Sequence, residues 1–89
     1  MNRAYILIET VVGRSREITN ELQKCDWVQC AERVTGPYDI VAMAECHALA
    51  DVEMLIRREI GPMDGVIRAV VCPITNGQST VPAIPVLVH

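Results

Sequence analysis

Eighty-nine residues make one small domain, a size that buries only about two-thirds of the surface its unfolded chain exposes. Yet 51% of the residues are hydrophobic and mean hydropathy is +0.25, so apolar surface is expected to be buried between subunits as well as within the chain. The net charge of −3 argues against a nucleic-acid binder, which needs a basic face for phosphates, and no apolar run approaches the roughly 18–20 residues of a membrane span.

The first element is a strand over residues 3–12, rich in Ile, Val and Tyr and apolar on both parities: Tyr5, Leu7 and Val11 on one, Ala4, Ile6, Ile8 and Val12 on the other. No small-residue cleavage site interrupts this start, so a cytoplasmic chain without a signal peptide is expected. Residues 13–26 follow as an amphipathic helix, with Ile18, Leu22 and Cys25 recurring at helical spacing between charges. A second strand covers 27–35, with Val28, Cys30 and Val34 on one parity, and a third covers 40–46, again apolar on both parities.

A second helix spans 48–60, with Leu49, Val52, Leu55, Ile56 and Ile60 as its stripe. Gly61-Pro62 stop it, and no strong cap marks its start at His47 and Ala48. A turn at 63–65 leads into the fourth strand, 66–74. Residues 77–89 form an apolar tail. Pro82 and Pro85 favour an extended chain, as an edge strand or an arm on a neighbouring subunit, with a disordered tail as the plainer alternative.

The order β-α-β-β-α-β over residues 1–76 predicts an α+β, ferredoxin-like domain, an antiparallel four-stranded sheet with both helices on one face. Helices cover one face only, while strands one and three are apolar on both. A second copy of the same sheet is the natural cover, so a face-to-face homodimer is expected. Four cysteines (Cys25, Cys30, Cys46 and Cys72) lack the C-x-x-C and Cys/His spacings of zinc sites. They read as reduced, buried thiols acting as small apolar side chains, and no metal or cofactor is called for.

The connection between strands two and three is "VTGPYD", residues 34–39. A plain hairpin uses Asn-Gly or Asp-Gly. Here a Gly and a Pro precede an aromatic and an acid. Gly36 lets a ligand or a second backbone approach closely, and turn N–H groups can hold a carboxylate. An aromatic and an acid at one corner leave a binding or an assembly role open. The plainer alternative is that Tyr38 and Asp39 only close the hairpin, with Asp39 bonding local backbone.

Thr35-Gly36-x-Tyr38-Asp39, together with Met63-Asp64-Gly65-Val66 before the fourth strand, resembles the C-terminal effector domain of Lrp/AsnC (feast/famine) transcriptional regulators, also called the RAM domain. The resemblance covers about residues 3–76. It implies a dimeric α+β barrel that assembles further, to an octamer or similar particle. It also implies a small amino-acid effector held at clefts between dimers. Carried over to this chain, the site is Thr35, Gly36, Pro37, Tyr38 and Asp39, with polar contacts from Thr75 and Asn76; the resemblance implies that Asp39 pairs with the ligand ammonium and Tyr38 walls off its side chain.

The family's N-terminal helix-turn-helix has no counterpart in these residues. The expectation is therefore a stand-alone RAM-domain protein without direct nucleic-acid binding, whose partners are its own copies and full-length Lrp/AsnC relatives.

Two rivals stand beside this reading. One is an assembly module that needs no ligand. The other is a small dimeric α+β barrel enzyme, which needs an acid/base group in a pocket. The histidines, His47 and His89, sit at a helix start and at the terminus, so no catalytic residue is assigned. Glu9 and Glu45 interrupt apolar strands. They are expected to pair with Arg33 or Arg68.

Overall fold

The computed structural model describes residues 2–74 and 83–88. Its elements are β1 (Asn2–Thr10), α1 (Ser15–Leu22), β2 (Val28–Arg33), β3 (Ile40–Cys46), α2 (Leu49–Leu55), a π-helical turn (Ile56–Ile60), β4 (Val66–Pro73) and β5 (Ile84–Val86). The sheet runs β2-β3-β1-β4-β5, antiparallel at every pairing, which is the ferredoxin-like order extended by one strand. That extra strand comes from the tail, which takes the edge-strand role. Pro85 lies within it, and an edge is where a sheet tolerates proline. No helix among the described residues is long and apolar enough to cross a membrane.

Alternation along the central strands sends Ala4, Ile6 and Ile8 of β1 and Ile40, Ala42 and Ala44 of β3 under the helices, all fully buried. Ile6 sits opposite Ala42, and Ala4 opposite Ala44. These small residues let Ile18 and Leu22 of α1, Val52 of α2, and Ile56 and Ile60 come down onto the sheet.

The helices are shorter than their amphipathic stretches. Gly13, at φ +88°, turns the chain before α1, and Gln23–Asp26 turn it after. The first of these turns is pinned across the domain. Arg14 Nη2 reaches Asp64 at 3.0 Å and Glu17 at 3.3 Å. The Arg14 stem lies against Gly65, where a Cβ would stand 2.9 Å from it. Gly65 at φ +99° is therefore required both by its backbone and by that contact.

Two bulges redirect side chains. Val28 faces Ala44, but Cys30 faces Met43, so Gln29 is the extra residue in β2. Likewise Thr10 faces Val66 while Glu9 faces Arg68, so Ile67 is the extra residue in β4. The first bulge corrects the expectation of four buried thiols. Cys30 is turned to the helix-free face and is exposed. Cys46 is buried, and Cys25 and Cys72 are half-buried. All four are free thiols.

Burial raises the pKa of Cys46, Cys25 and Cys72, with nearby carboxylates adding to the effect at Cys46 and Cys25. A raised folded-state pKa means that the unfolded chain ionises first. Stability is therefore full below the ordinary thiol range, about pH 8.5, and falls as pH rises through and above it. Urea midpoints measured from neutral to alkaline pH are expected to decline, and Cys46→Ala should flatten part of that decline. An identical slope in the variant refutes the assignment.

The helix-free face is a band of apolar rows bordered by charges. One row is Cys30, Met43, Tyr5 and Cys72, and the next is built around Val41, Leu7, Val70 and Pro85. Beyond them, Arg68 Nε approaches Glu9 Oε1 at 3.5 Å, and Arg3 pairs in register with Glu45 at the opposite end. Glu9 thus finds Arg68, one of its two expected partners.

Candidate functional site

The corner between β2 and β3 is held from three sides at Asp39. Its N–H donates to the Ile8 carbonyl at 2.9 Å, and its own carbonyl accepts from Val34 N–H at 2.9 Å. Its carboxylate Oδ2 accepts from Thr10 N–H at 2.8 Å. A charge-assisted bond of that kind fixes the carboxylate as well as the backbone. Local bonding by Asp39 is therefore real, and nothing among the described residues bonds its second oxygen.

Gly36 has φ +142°, and no atom lies within 4 Å of where its Cβ would be. The turn tip is therefore open backbone. Thr35, Gly36 and Pro37 are exposed, whereas Tyr38 and Asp39 are half-buried.

The two half-buried residues enter different recesses. Tyr38 lines an apolar one of about 490 Å³ with Ile67, Arg68, Val70 and tail residues 85–88. Asp39 and Thr35 line a polar one of about 410 Å³ with Ser15, Arg33 and Val34. The geometry thus brings Thr35 and Asp39 together and sets Tyr38 apart from them. Gly36 and Pro37 line neither recess, and Thr75 and Asn76 lie outside the described residues.

Ser15 and the tail had no signal in the turn motif. Arg33, a cation two residues before Thr35 and an expected partner of Glu9 or Glu45, makes no ion pair among the described residues. No group of His, Cys, Asp or Glu among the described residues is arranged to hold a metal ion.

The domain is thus a ferredoxin-like sheet with one helix-free, largely apolar face and a turn of mixed polarity at one corner. The chain belongs to the Lrp/AsnC ligand binding domain family, which matches residues 3–76.

Solved structures agree. PHS023 from Pyrococcus horikoshii is 27% identical with a TM-score of 0.77, over 88% of this chain and 94% of that one. FFRP-DM1 is 28% identical with a TM-score of 0.78, over 84% of this chain and 100% of the other. The transcriptional regulator NMB0573 of Neisseria meningitidis, solved as its L-Met complex, shares the fold at 16% identity and a TM-score of 0.76. It is covered over 56% of its own length, against 91% of this chain. No match was found among curated proteins.

Proposed function

We propose that this domain binds a small amino acid at the Thr35–Asp39 corner and couples it to assembly, in the cytoplasm, as part of amino-acid-responsive regulation. The observation that carries the reading is Asp39, whose backbone is held by Ile8 and Val34 and whose carboxylate takes one bond from Thr10 N–H, leaving its second oxygen for a ligand ammonium. L-Met in the complex of NMB0573 supports the ligand class. In this reading Thr35, Gly36, Pro37, Tyr38 and Asp39 form the contact between dimers, joined by Thr75 and Asn76. Sheet-face dimers then assemble into a larger ring. Such a ligand shifts assembly only by binding one oligomeric state better than another.

A thermal-shift screen of the twenty amino acids tests it. A ligand at 100 times its dissociation constant adds roughly 2.7 kcal/mol of stability. Tyr38→Ala and Asp39→Ala should both change particle mass in light scattering. A flat screen with unchanged mass in both variants rejects the reading.

The Asp39–Thr10 bond favours one second reading. It gives the carboxylate a local task that a ligand-free assembly module would share. In that case the screen is flat while the two variants still alter particle mass.

A further inference from the structure

We infer that Arg33 and Ser15 join Asp39 and Thr35 as the head-group half of the effector site, and that this half selects a free zwitterionic α-amino acid over its amide or its des-amino relative. The inference rests on the amino-acid reading above. It adds residues from the end of β2 and the start of α1 that the turn motif does not contain.

The polar recess holds one cation and one anion that do not meet. Arg33 makes no ion pair or side-chain hydrogen bond among the described residues, although Asp39 lines the same recess. Asp39 Oδ2 is engaged by the Thr10 N–H, while the exposed Arg33 side chain is free to turn toward a ligand. A tethered carboxylate and an unpaired guanidinium lining one recess discriminate by charge. A simple anion attracted to Arg33 is repelled by Asp39, and a simple cation meets the reverse. A molecule carrying both charges a few bonds apart satisfies both.

Roles follow from donor and acceptor chemistry. The planar Arg33 fork suits a carboxylate, which it can take with two parallel bonds. The free oxygen of Asp39 takes the α-ammonium. The hydroxyls of Ser15 and Thr35 each donate and accept, so they fill whichever head-group positions remain. Ser15 is placed by the first turn of α1, where Thr19 Oγ1 donates to its backbone carbonyl at 2.7 Å and leaves the Ser15 hydroxyl unengaged. Val34 is the one apolar residue in the lining, so the recess fits a polar head and sends the ligand side chain outward.

Calorimetric titration tests this on the full chain. Each of the twenty L-amino acids is titrated first, then the amide and the des-amino acid of the tightest binder. Arg33→Gln is expected to weaken the free amino acid about tenfold or more, in the range of a lost hydrogen bond to a charged group. It should leave the amide, which has no carboxylate to lose, nearly unchanged. Asp39→Asn should show the mirror pattern, weakening the amino acid but not its des-amino relative. Arg33→Lys, which keeps charge without the fork, should fall between wild type and Arg33→Gln.

Arg33 is exposed and unpartnered, so its variants should keep the wild-type melting temperature, and Ser15→Ala gives an independent, smaller loss. If an amino acid binds wild type and Arg33→Gln equally while Tyr38→Ala weakens it, this inference fails and the proposed function stands. If none of the twenty binds wild type, both fail.

Discussion

The proposed sheet-face dimer is expected to dissociate in Leu7→Asp, its dissociation constant rising about a thousandfold or more, equivalent to about 4 kcal/mol. Leu7 is at the middle of the helix-free face, in register with Val41 on one side and Val70 on the other. Its row and the neighbouring row of Cys30, Met43, Tyr5 and Cys72 form one apolar band, closed at its ends by Glu9–Arg68 and by Arg3 and Glu45. An apolar centre with a charged rim is how a protein interface is built.

A carboxylate at the centre is tolerated in water and costs several kcal/mol when a second sheet covers it without a partner. The substituted position faces away from the helices, so the core of Ile6, Ile8 and Ile40 is untouched. Asn20→Asp, an exposed change on α1, adds the same charge as a control and should leave the dimer intact.

Sedimentation at micromolar concentration reads the mass. Cys30 supplies a chemical readout, because its exposed thiol lies on the face in question. It should resist alkylation in wild type and react quickly in Leu7→Asp. Far-UV circular dichroism separates a folded monomer from an unfolded chain. A wild-type protein that sediments as a monomer, or a variant that sediments as wild type does, overturns the assignment.

Periodicity carried most of this fold because its signals are local. Ile6 and Ile8 against Leu7, or Ile40 and Ala42 against Val41, announce a two-sided strand by alternation alone, and the count of faces then demands a cover. What periodicity does not carry is a change of phase. The parity that grouped Val28 with Cys30 was sound for an unbroken strand, and one extra residue at Gln29 reversed it for Cys30. A bulge is set by what the neighbouring strand requires, so the strand's own sequence does not announce it.

The end of the second helix shows the same limit. Leu55, Ile56 and Ile60 read as one stripe, but Gly61 N–H bonds the Ile56 carbonyl at 2.7 Å, a wider turn that the stripe does not distinguish. At the site, the turn motif pointed to the corner. It did not show that Tyr38 and Asp39 part into separate recesses, because that depends on α1 and the tail, both remote in sequence.

Gly61→Val is expected to detach the tail strand while leaving the rest of the sheet folded. Gly61 has ordinary helical dihedrals, so no left-handed backbone calls for glycine there. What calls for it is space. A Cβ at this position would stand 3.1 Å from both the Arg57 and the Val88 carbonyl oxygens and 3.4 Å from the Val88 Cβ. The π-helical turn thus presents a bare backbone patch on which the end of the chain rests.

From that patch the tail runs back along β4, with Val86 opposite Ala69 and Ile84 opposite Val71. Val86 is buried in the core, and Ile84 and Val88 pack on its edge. Burying aliphatic side chains stabilises the tail by about 1.5–3 kcal/mol for each one fully covered. Ordering each residue opposes this by about 1–2 kcal/mol. The balance is close, so a steric push of a few tenths of an ångström against backbone is enough to tip it.

Alanine should have a graded effect, because its better helix propensity, about 0.5–1 kcal/mol over glycine, partly offsets the same contact. Hydrogen exchange reads the outcome. In Gly61→Val the Val86 amide and the β4 amides it shields should lose protection, while those of β1 and β3 keep it. The thermal midpoint should fall by only a few degrees, as expected when one edge strand frays. The apolar recess that Tyr38 shares with tail residues 85–88 opens at the same time, so fluorescence of an apolar dye should rise. If Val86 remains as protected in Gly61→Val as in wild type, the tail is held by β4 pairing alone and the seat at Gly61 has no role in holding it.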